Sequence, residues 1–508
     1  MKRKIARKIA KQKKKVEKQL AKARSQSGAR PTLRASNIHY ELPNRAQAIC
    51  HGGIGAIHML VKQLGLIELL DQKVQLLKQH RPYHESDHVL NIAYNVLCGG
   101  RVLDDIEFRR NDLAYLKALG TQSIPDPTTA GDFCRRFEQA DLEALQEAIN
   151  LARLKVWEKQ PPEFFKETAR IDADGTLVET HGECKEGIDI SYKGVWGYHP
   201  LLVSLANTQE PLFLLNRSGN RPSHEGVVPL FDKSIELCRE AGFSSILLRG
   251  DTDFSLTSEL DRWDDDGVHF VFGYDAFPNL KTHCEALPEP EYEELVRQTE
   301  QELKTKPRCR PENVKEKIVV EREFKNIKLK SEQVVEFDYT PTNCNRSYRM
   351  IALRKNLSVE KGELVLFDEF RYFFYITNHR SLSKEEVVFE SNQRCNQENL
   401  IAQLQGGVRA LHAPVNTLNA NWAYMVMASL AWSLKAWAGL MLPVNPRWKE
   451  KHTEERELVI QMEFRTFLNA FMNVPAQIVQ TGRKLVYRLL SWNPWQHIFF
   501  RLFYALRE

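Results

Sequence analysis

Apolar residues recur at three- and four-residue spacing from about Ala46 to Gln160. This is the period of helices that bury one face. The segments GAIHMLVKQLGLIELLDQ, SDHVLNIAYNVLCGG and DLEALQEAINLARLKVWEK carry it, with Ser86 as the expected N-cap and Gly99–Gly100 as the expected stop of the middle one. From Glu167 the pattern changes. TARIDADGTLVET, YHPLLVSLAN, PLFLLNR, SSILLRGD and VHFVFGYDA read as strands, and HEGVVPLFDKSIELCREAGF and SLTSELDRWDDDG as helices. The resulting order is β-β-β-α-β-α-β, ending near Asp275. A stretch rich in Glu, Lys and Pro follows, then hairpin-like strands through ELVLFDEFRYFFYITN. Beyond about residue 406 the chain is again helical and rich in tryptophan.

Between the last strand and that helical end lies SNQRCNQENLIAQLQ, Ser391 to Gln405, which has no Gly or Pro. On a wheel of about 100° per residue, Ser391, Arg394 and Gln405 fall within about 40° of Glu398. Leu400, Ile401, Leu404 and Val408 fall at about 200–300°, on the far side. One helix is therefore predicted, packed by its apolar face, with Arg394 and Glu398 aimed elsewhere. Alone, that pair reads first as a solvated i,i+4 contact, until partners for Glu398 are found elsewhere in the chain.

A chain of 508 residues with 43% hydrophobic and 27% charged residues is long and apolar enough for several folded units. The nine cysteines are an odd number, scattered and without a CxxC pair, which predicts a reduced, cytoplasmic chain with neither a disulfide framework nor a zinc ribbon. The net charge of +5 conceals an asymmetry. Residues 1–30 hold 13 Lys and Arg against Glu17, a net of +12 that leaves −7 for the rest. A basic arm of this kind, beginning Lys2, Arg3 and Lys4, predicts a polyanionic partner, nucleic acid or an acidic membrane surface. No apolar core of a secretory signal is present at the N-terminus. The apolar stretch Trp422–Leu442 contains Lys435, Ser429 and Ser433 and reads as a buried helix rather than a membrane span.

Three carboxylates stand out on or just past the predicted strands. Asp172 and Asp174 are two residues apart and share a face, and Asp251 follows the end of an apolar strand. Ligand sites in α/β sheets gather at such strand ends. With Glu398 from a following helix, two strand aspartates can cage two Mg²⁺ or Mn²⁺ ions through hard oxygen ligands. Such a pair activates an attacking oxygen and stabilises the leaving one at a phosphodiester. Asp172 and Asp253 compete with Asp174 and Asp251 for these roles. Upstream, PDPTTAGDFCRRF (Pro125–Phe137) reads as a turn, a Thr cap and a short helix bearing Arg135 and Arg136, a geometry open to a helix-turn-helix reader of DNA or to an ordinary bundle corner.

RIDADGT, KGVWGYHPLLVSLAN, LLRGDTDF and NQRCNQENLIAQL resemble, in order and spacing, the DDE transposases of bacterial insertion sequences, which have an RNase-H-like core. DPTTAGDFCRRF resembles the subgroup called the IS thirteen-eighty group. The resemblance covers roughly residues 50–440 and implies Asp174, Asp251 and Glu398 as the catalytic, metal-binding triad. It implies binding of terminal inverted repeats in double-stranded DNA, strand cleavage by two Mg²⁺ (or Mn²⁺) ions and strand transfer by the freed 3′-OH. A homodimer on DNA, with no membrane partner, and a cytoplasmic, nucleoid-associated location are implied with it. Arg394 would clamp a phosphate, and Arg135, Arg136, Lys2, Arg3 and Lys4 would hold DNA. Trp196 would stack on a displaced base. Hairpin-forming relatives carry a Tyr and a Lys around the glutamate where Ser391 and Gln405 stand here, so those two phosphate contacts are missing.

The fold class expected is an α/β core with an RNase-H-like mixed sheet, interrupted by a β-rich insertion, with an all-α N-terminal domain and a helical C-terminal region. The divisions are a basic arm and linker (1–44), a helical DNA-binding domain (45–160) and the first part of the core (161–275). A β-rich insertion (276–370), the last part of the core with the glutamate helix (371–440) and a C-terminal helical region suited to dimerisation (441–508) complete the chain. Two rival functions are a metal-dependent nuclease without strand transfer and a non-catalytic DNA-binding descendant.

Overall fold

A computed structural model describes residues 3–25, 47–80, 82–295, 326–360, 369–482 and 484–507. The chain is a mixed α/β structure built on one large mixed sheet. Its strands are β1 (Ala169–Gly175), β2 (Leu201–Leu205), β3 (Glu210–Leu215), β4 (Ile246–Gly250), β5 (His269–Tyr274), β6 (Glu293–Glu294), β7 (Asn326–Tyr339), β8 (Tyr348–Glu360) and β9 (Glu369–Thr377). Their spatial order is β6-β7-β8-β9-β5-β4-β1-β2-β3. The central trio β1, β4 and β5 runs parallel, and the flanking pairs are antiparallel.

The alternation read from the sequence explains this layout. β2 and β4 are buried along their whole length, as continuous apolar runs inside a covered sheet should be. The strands after Asp275 add to the same sheet, because β9 pairs antiparallel with β5 from Phe374↔Tyr274 to Thr377↔Val271.

The helices that matter below are α1 (Arg3–Ser25), α2 (Ile54–Gln63), α3 (Leu66–Lys73), α4 (Glu85–Leu97), α5 (Pro127–Cys134) and α6 (Gln139–Trp157). After the first strands come α7 (Val227–Ala241), α8 (Lys384–Gln393), α9 (Cys395–Ala402), α10 (Leu418–Leu440), α11 (Lys449–Gln461) and α12 (Gln496–Ala505). Three details differ from the sequence reading. α4 starts at Glu85 with His84 as N-cap, and Ser86 instead binds Asp71 through its backbone N–H (2.8 Å) and hydroxyl (3.1 Å). α5 ends at Cys134, so Arg135 is its C-cap and Arg136 lies just beyond. The predicted single helix Ser391–Gln405 is broken at Arg394 into α8 and α9 and closes with a wide turn at Gln403–Gly407.

α10 is buried almost end to end, and no described helix is long and apolar enough to cross a membrane. Burial lowers the Lys435 amine to about 7. Its Nζ donates to the Ile460 carbonyl at 2.5 Å and lies 4.0 Å over the Trp432 ring. α10 packs on α4, α5 and α6 as well as on β3. Glu210 at the start of β3 joins these layers. It accepts from Arg153 (3.0 Å) and Trp157 (3.1 Å) of α6, Trp437 (2.7 Å) of α10 and Thr208 (2.6 Å). A buried carboxylate with four donors, one of them a guanidinium, has its charge compensated and its lone pairs used.

Candidate active site

β1 places Asp172 and Asp174 on one face, as the two-residue spacing requires, but the register gives them different fates. Asp172 lies opposite Arg249 of the parallel strand β4. The guanidinium grips both of its oxygens, Nε to Oδ1 at 2.6 Å and Nη2 to Oδ2 at 2.9 Å. Asp172 is 0% exposed and Arg249 1%. Arg249 also donates to Glu390 of α8 (2.9 Å), which Arg170 of β1 holds through Nη2 (2.6 Å) and Nε (2.9 Å). Two arginines and two carboxylates thus form a charge-balanced group, buried except at Arg170, that ties α8 to β1 and β4. Burial alone would raise the Glu390 carboxyl; the bonds and charges of Arg170 and Arg249 bring it below its usual value. Asp172, a competitor for metal in the sequence, is buried with both of its oxygens engaged by Arg249.

Asp174, one turn of the pleat further on, is the residue left open. Its neighbour Gly175 leaves no room for a side chain, since a Cβ there would stand 2.7 Å from His199 Nε2. Asp251 sits directly after β4 and caps the short turn Thr252–Phe254, one oxygen accepting from the Asp253 N–H at 3.0 Å. This turn lies against β5, where a Cβ on Gly273 would come within 2.9 Å of the Thr252 nitrogen. Only a glycine lets the loop bearing Asp251 settle so closely on the strand. Asp253 is exposed and serves the turn through its backbone.

Glu398 comes from α9, and its side chain is exposed. α9 is fastened beneath it by Gln397, a buried residue whose side chain bonds Ser204 Oγ and donates to the Leu202 carbonyl (3.1 Å), both in β2. Arg394, at the break between α8 and α9, brings Nη1 to 3.8 Å from Asp174 Oδ2. The position that carries Lys in hairpin-forming relatives holds Gln405, whose amide donates to Thr176 Oγ1 (3.0 Å) and faces the Leu177 carbonyl (3.4 Å).

The electrostatics bind these residues into one site. Burial raises the Asp174 carboxyl to about 6. Arg394 opposes that rise, whereas the negative charges of Asp251 and Glu398 add to it. Asp251 is raised by burial too, against the pull of Arg394 and with Asp253 and Asp275 pushing upward. Carboxyls that stay difficult to ionise while facing each other form a site that gains by receiving positive charge. The donors are all hard oxygens, suited to Mg²⁺ or Mn²⁺. Among the described residues, only His80, His84 and Glu85 form a His/Cys/Asp/Glu trio with ligand atoms all within 4.8 Å, so the three carboxylates are spread more widely than a single-ion cage.

Next to Asp174 a small sheet of Val178–Glu179, Asp189–Ile190 and Trp196–Tyr198 projects from the core. Trp196 is 54% exposed and Tyr192 84%, so Trp196 is not a core residue. Arg135 is exposed and pairs with Asp132 at 2.5 Å, and Arg136 is exposed nearby. Lys4 lies exposed on α1, the side chain of Arg3 is outside the described residues, and so is Lys2. The structure therefore sets Arg394 beside Asp174, leaves Asp174 under the charges of Asp251 and Glu398, and carries Trp196 on a separate small sheet. The sequence reading missed Arg170, Glu390 and Gln397; the carboxylate-bearing stretches already carry them, but only strand register reveals their partners.

No curated protein matches the chain. Among solved structures, that of a piggyBac transposase synaptic complex with hairpin DNA aligns with a TM-score of 0.36 at 9% identity, over 84% of this chain and 83% of the other. Residues 44–508 match the family described as Transposase DDE domain group 1, and since this is most of its length, the chain belongs to the DDE transposase domain family.

Proposed function

We propose that the protein is a cut-and-paste DNA transposase of a bacterial insertion sequence of the IS thirteen-eighty group, acting at Asp174, Asp251 and Glu398. One observation carries this reading: Asp174 is raised to about 6 with Asp251 and Glu398 both contributing, beside a guanidinium 3.8 Å away. The strand order β3-β2-β1-β4-β5, with three antiparallel strands followed by two parallel ones, supports an RNase-H-like core.

Two Mg²⁺ or Mn²⁺ ions bound there would supply Lewis acidity to the attacking and leaving oxygens of a phosphodiester. Asp174 and Asp251 would hold them from the sheet and Glu398 from α9. Arg394, free of any bidentate protein partner among the described residues, would turn to a phosphate oxygen of the strand being cut. The ion-pair group under α8 and the Gln397 contacts under α9 would fix the distance between helix and sheet, which in-line attack needs within a fraction of an ångström.

The helical region 45–160, with Arg135 and Arg136, and the basic arm with Lys2, Arg3 and Lys4 would hold the terminal inverted repeats through the backbone. Trp196 would stack on a base unpaired at the cut. Cutting two ends together implies a homodimer on DNA, with residues 441–508 at the interface, and a cytoplasmic, nucleoid-associated protein. Gln405 is spent on Thr176 and presents no cation to the cut strand, which favours cleavage without a hairpin.

The test uses labelled element ends, a target plasmid and Mg²⁺. Nicked ends and joined products are expected, and both should vanish in Glu398→Gln. Nicking without joining would replace the proposal with a nuclease, and no nicking, or full activity of Glu398→Gln, would refute the assignment.

A further inference from the structure

A second set of ligands lies far along the chain from the carboxylates, between α3 and α4. Glu85, the first residue of α4, is only 1% exposed. Its Oε1 accepts from the Leu76 (3.1 Å) and Leu77 (2.9 Å) backbone N–H groups. Its Oε2 is buried and has no aligned hydrogen-bond donor, although His80 Nε2 stands 3.1 Å away. The His80 and His84 rings stack in parallel, 4.6 Å between centroids and 7° apart. One ligand atom from each of the three residues falls within 4.8 Å of the others.

We propose that His80, His84 and Glu85 form a transition-metal site of the zinc class. In a tetrahedral zinc site with bonds of about 2.0–2.2 Å, neighbouring ligand atoms stand roughly 3.3 Å apart. The 3.1 Å between His80 Nε2 and Glu85 Oε2 is already at that spacing. A turn of the exposed His84 ring would close the other two edges. Imidazole nitrogen selects zinc, cobalt, nickel or copper over Mg²⁺, so this site and the all-oxygen one would not compete for the same ion. Three protein ligands leave a fourth position to water or to an incoming donor.

The frame around His84 and Glu85 is held by hydrogen bonds. The His84 N–H donates to Asp87 Oδ2 at 2.9 Å, and Ser86 is held by Asp71. The segment that carries His80 also forms, through Leu76, Leu77 and Tyr83, one wall of a groove whose other wall is Thr129, Phe133 and Arg136 around α5. A bound ion would therefore fasten the wall opposite Arg136. The alternative is a plain His80–Glu85 ion pair with no metal.

The experiment takes the full chain, stripped with chelator, in excess Mg²⁺ to fill the oxygen site, and titrates Co²⁺ while recording visible absorption. The expected result is one equivalent giving the intense bands of a four- or five-coordinate nitrogen-ligated ion, displaced by Zn²⁺. His84→Ala and His80→Ala, at exposed positions, should weaken binding on the order of 100-fold each, whereas Asp174→Asn should leave it unchanged. Unaltered thermal unfolding of the metal-free histidine variants guards against misfolding. Absence of the bands, or bands that survive in the His80→Ala/His84→Ala double variant, would overturn the proposal.

Discussion

Asp174→Asn should make the metal-free protein more stable while abolishing strand cleavage. Burial, helped by the charges of Asp251 and Glu398, raises the folded-state carboxyl from an ordinary 3.8 to about 6. At roughly 1.4 kcal/mol per unit, ionising Asp174 in the folded chain costs about 3 kcal/mol relative to the unfolded one. The sign follows from proton counting. Between the unfolded and folded values the native state holds a proton that the unfolded state has released, so stability falls as pH rises through that window. The penalty is absent below the unfolded value and complete above about 6. Asparagine carries no such charge, but it leaves Arg394, now 3.8 Å from an anion, with less compensation. The net gain expected at pH 8 is therefore about 1–3 kcal/mol.

Urea unfolding of parent and variant in chelator at pH 4, 6 and 8 measures this. The difference should be near zero at pH 4 and grow to its full value by pH 8. Millimolar Mg²⁺ at pH 8 should then stabilise the parent and not the variant, since an ion that binds only the native state adds to its stability. If the variant is less stable than the parent at pH 8 in chelator, or if the gap does not change with pH, the electrostatic reading of the site is wrong.

Three further outcomes are expected. Arg249→Met leaves Asp172 and Glu390 buried without their shared cation and should cost about 3–5 kcal/mol, read as a lower unfolding midpoint. Gln397→Leu removes both contacts of α9 with β2 and should cost about 1–3 kcal/mol while lowering the cleavage rate at unchanged affinity for element ends, measured by single-turnover kinetics and fluorescence anisotropy. Trp196→Ala, at a half-exposed position, should change stability by no more than about 0.5 kcal/mol yet slow end processing; unchanged processing would remove Trp196 from the site.

The strands and their alternating faces were legible because burial writes itself into residue type. The β-β-β-α-β-α-β order and the location of Asp174 and Asp251 at strand ends followed from that alone. Only the family resemblance singled out Asp174, and the division of labour between Asp172 and Asp174 was not legible in the residue pattern. It depends on which residue of β4 lies opposite β1, and a parallel register joins residues 77 apart in sequence. The break at Arg394 was equally hidden. SNQRCNQENLIAQLQ contains no helix breaker, and local propensity favours one helix. Two anchors pull its halves to different strands: Glu390 on Arg170 and Arg249, and Gln397 on Ser204 and Leu202. Tertiary demands of this kind override propensity at the point where a side chain must be aimed.

If the protein acts on DNA as proposed, the carboxylate of Glu210 has a consequence for measurement of distance along a duplex. It is saturated by donors from α6 and α10, and α10 in turn packs on α4 and α5. The N-terminal helices and the strand pair that borders Asp174 are thus jaws of one caliper rather than beads on a string. On the proposed function, DNA gripped at the groove beside Arg136 would be held at a set span from the carboxylates. The number of base pairs between grip and cut would then be a dimension of the folded core, and inserting one residue into α10 should recalibrate it.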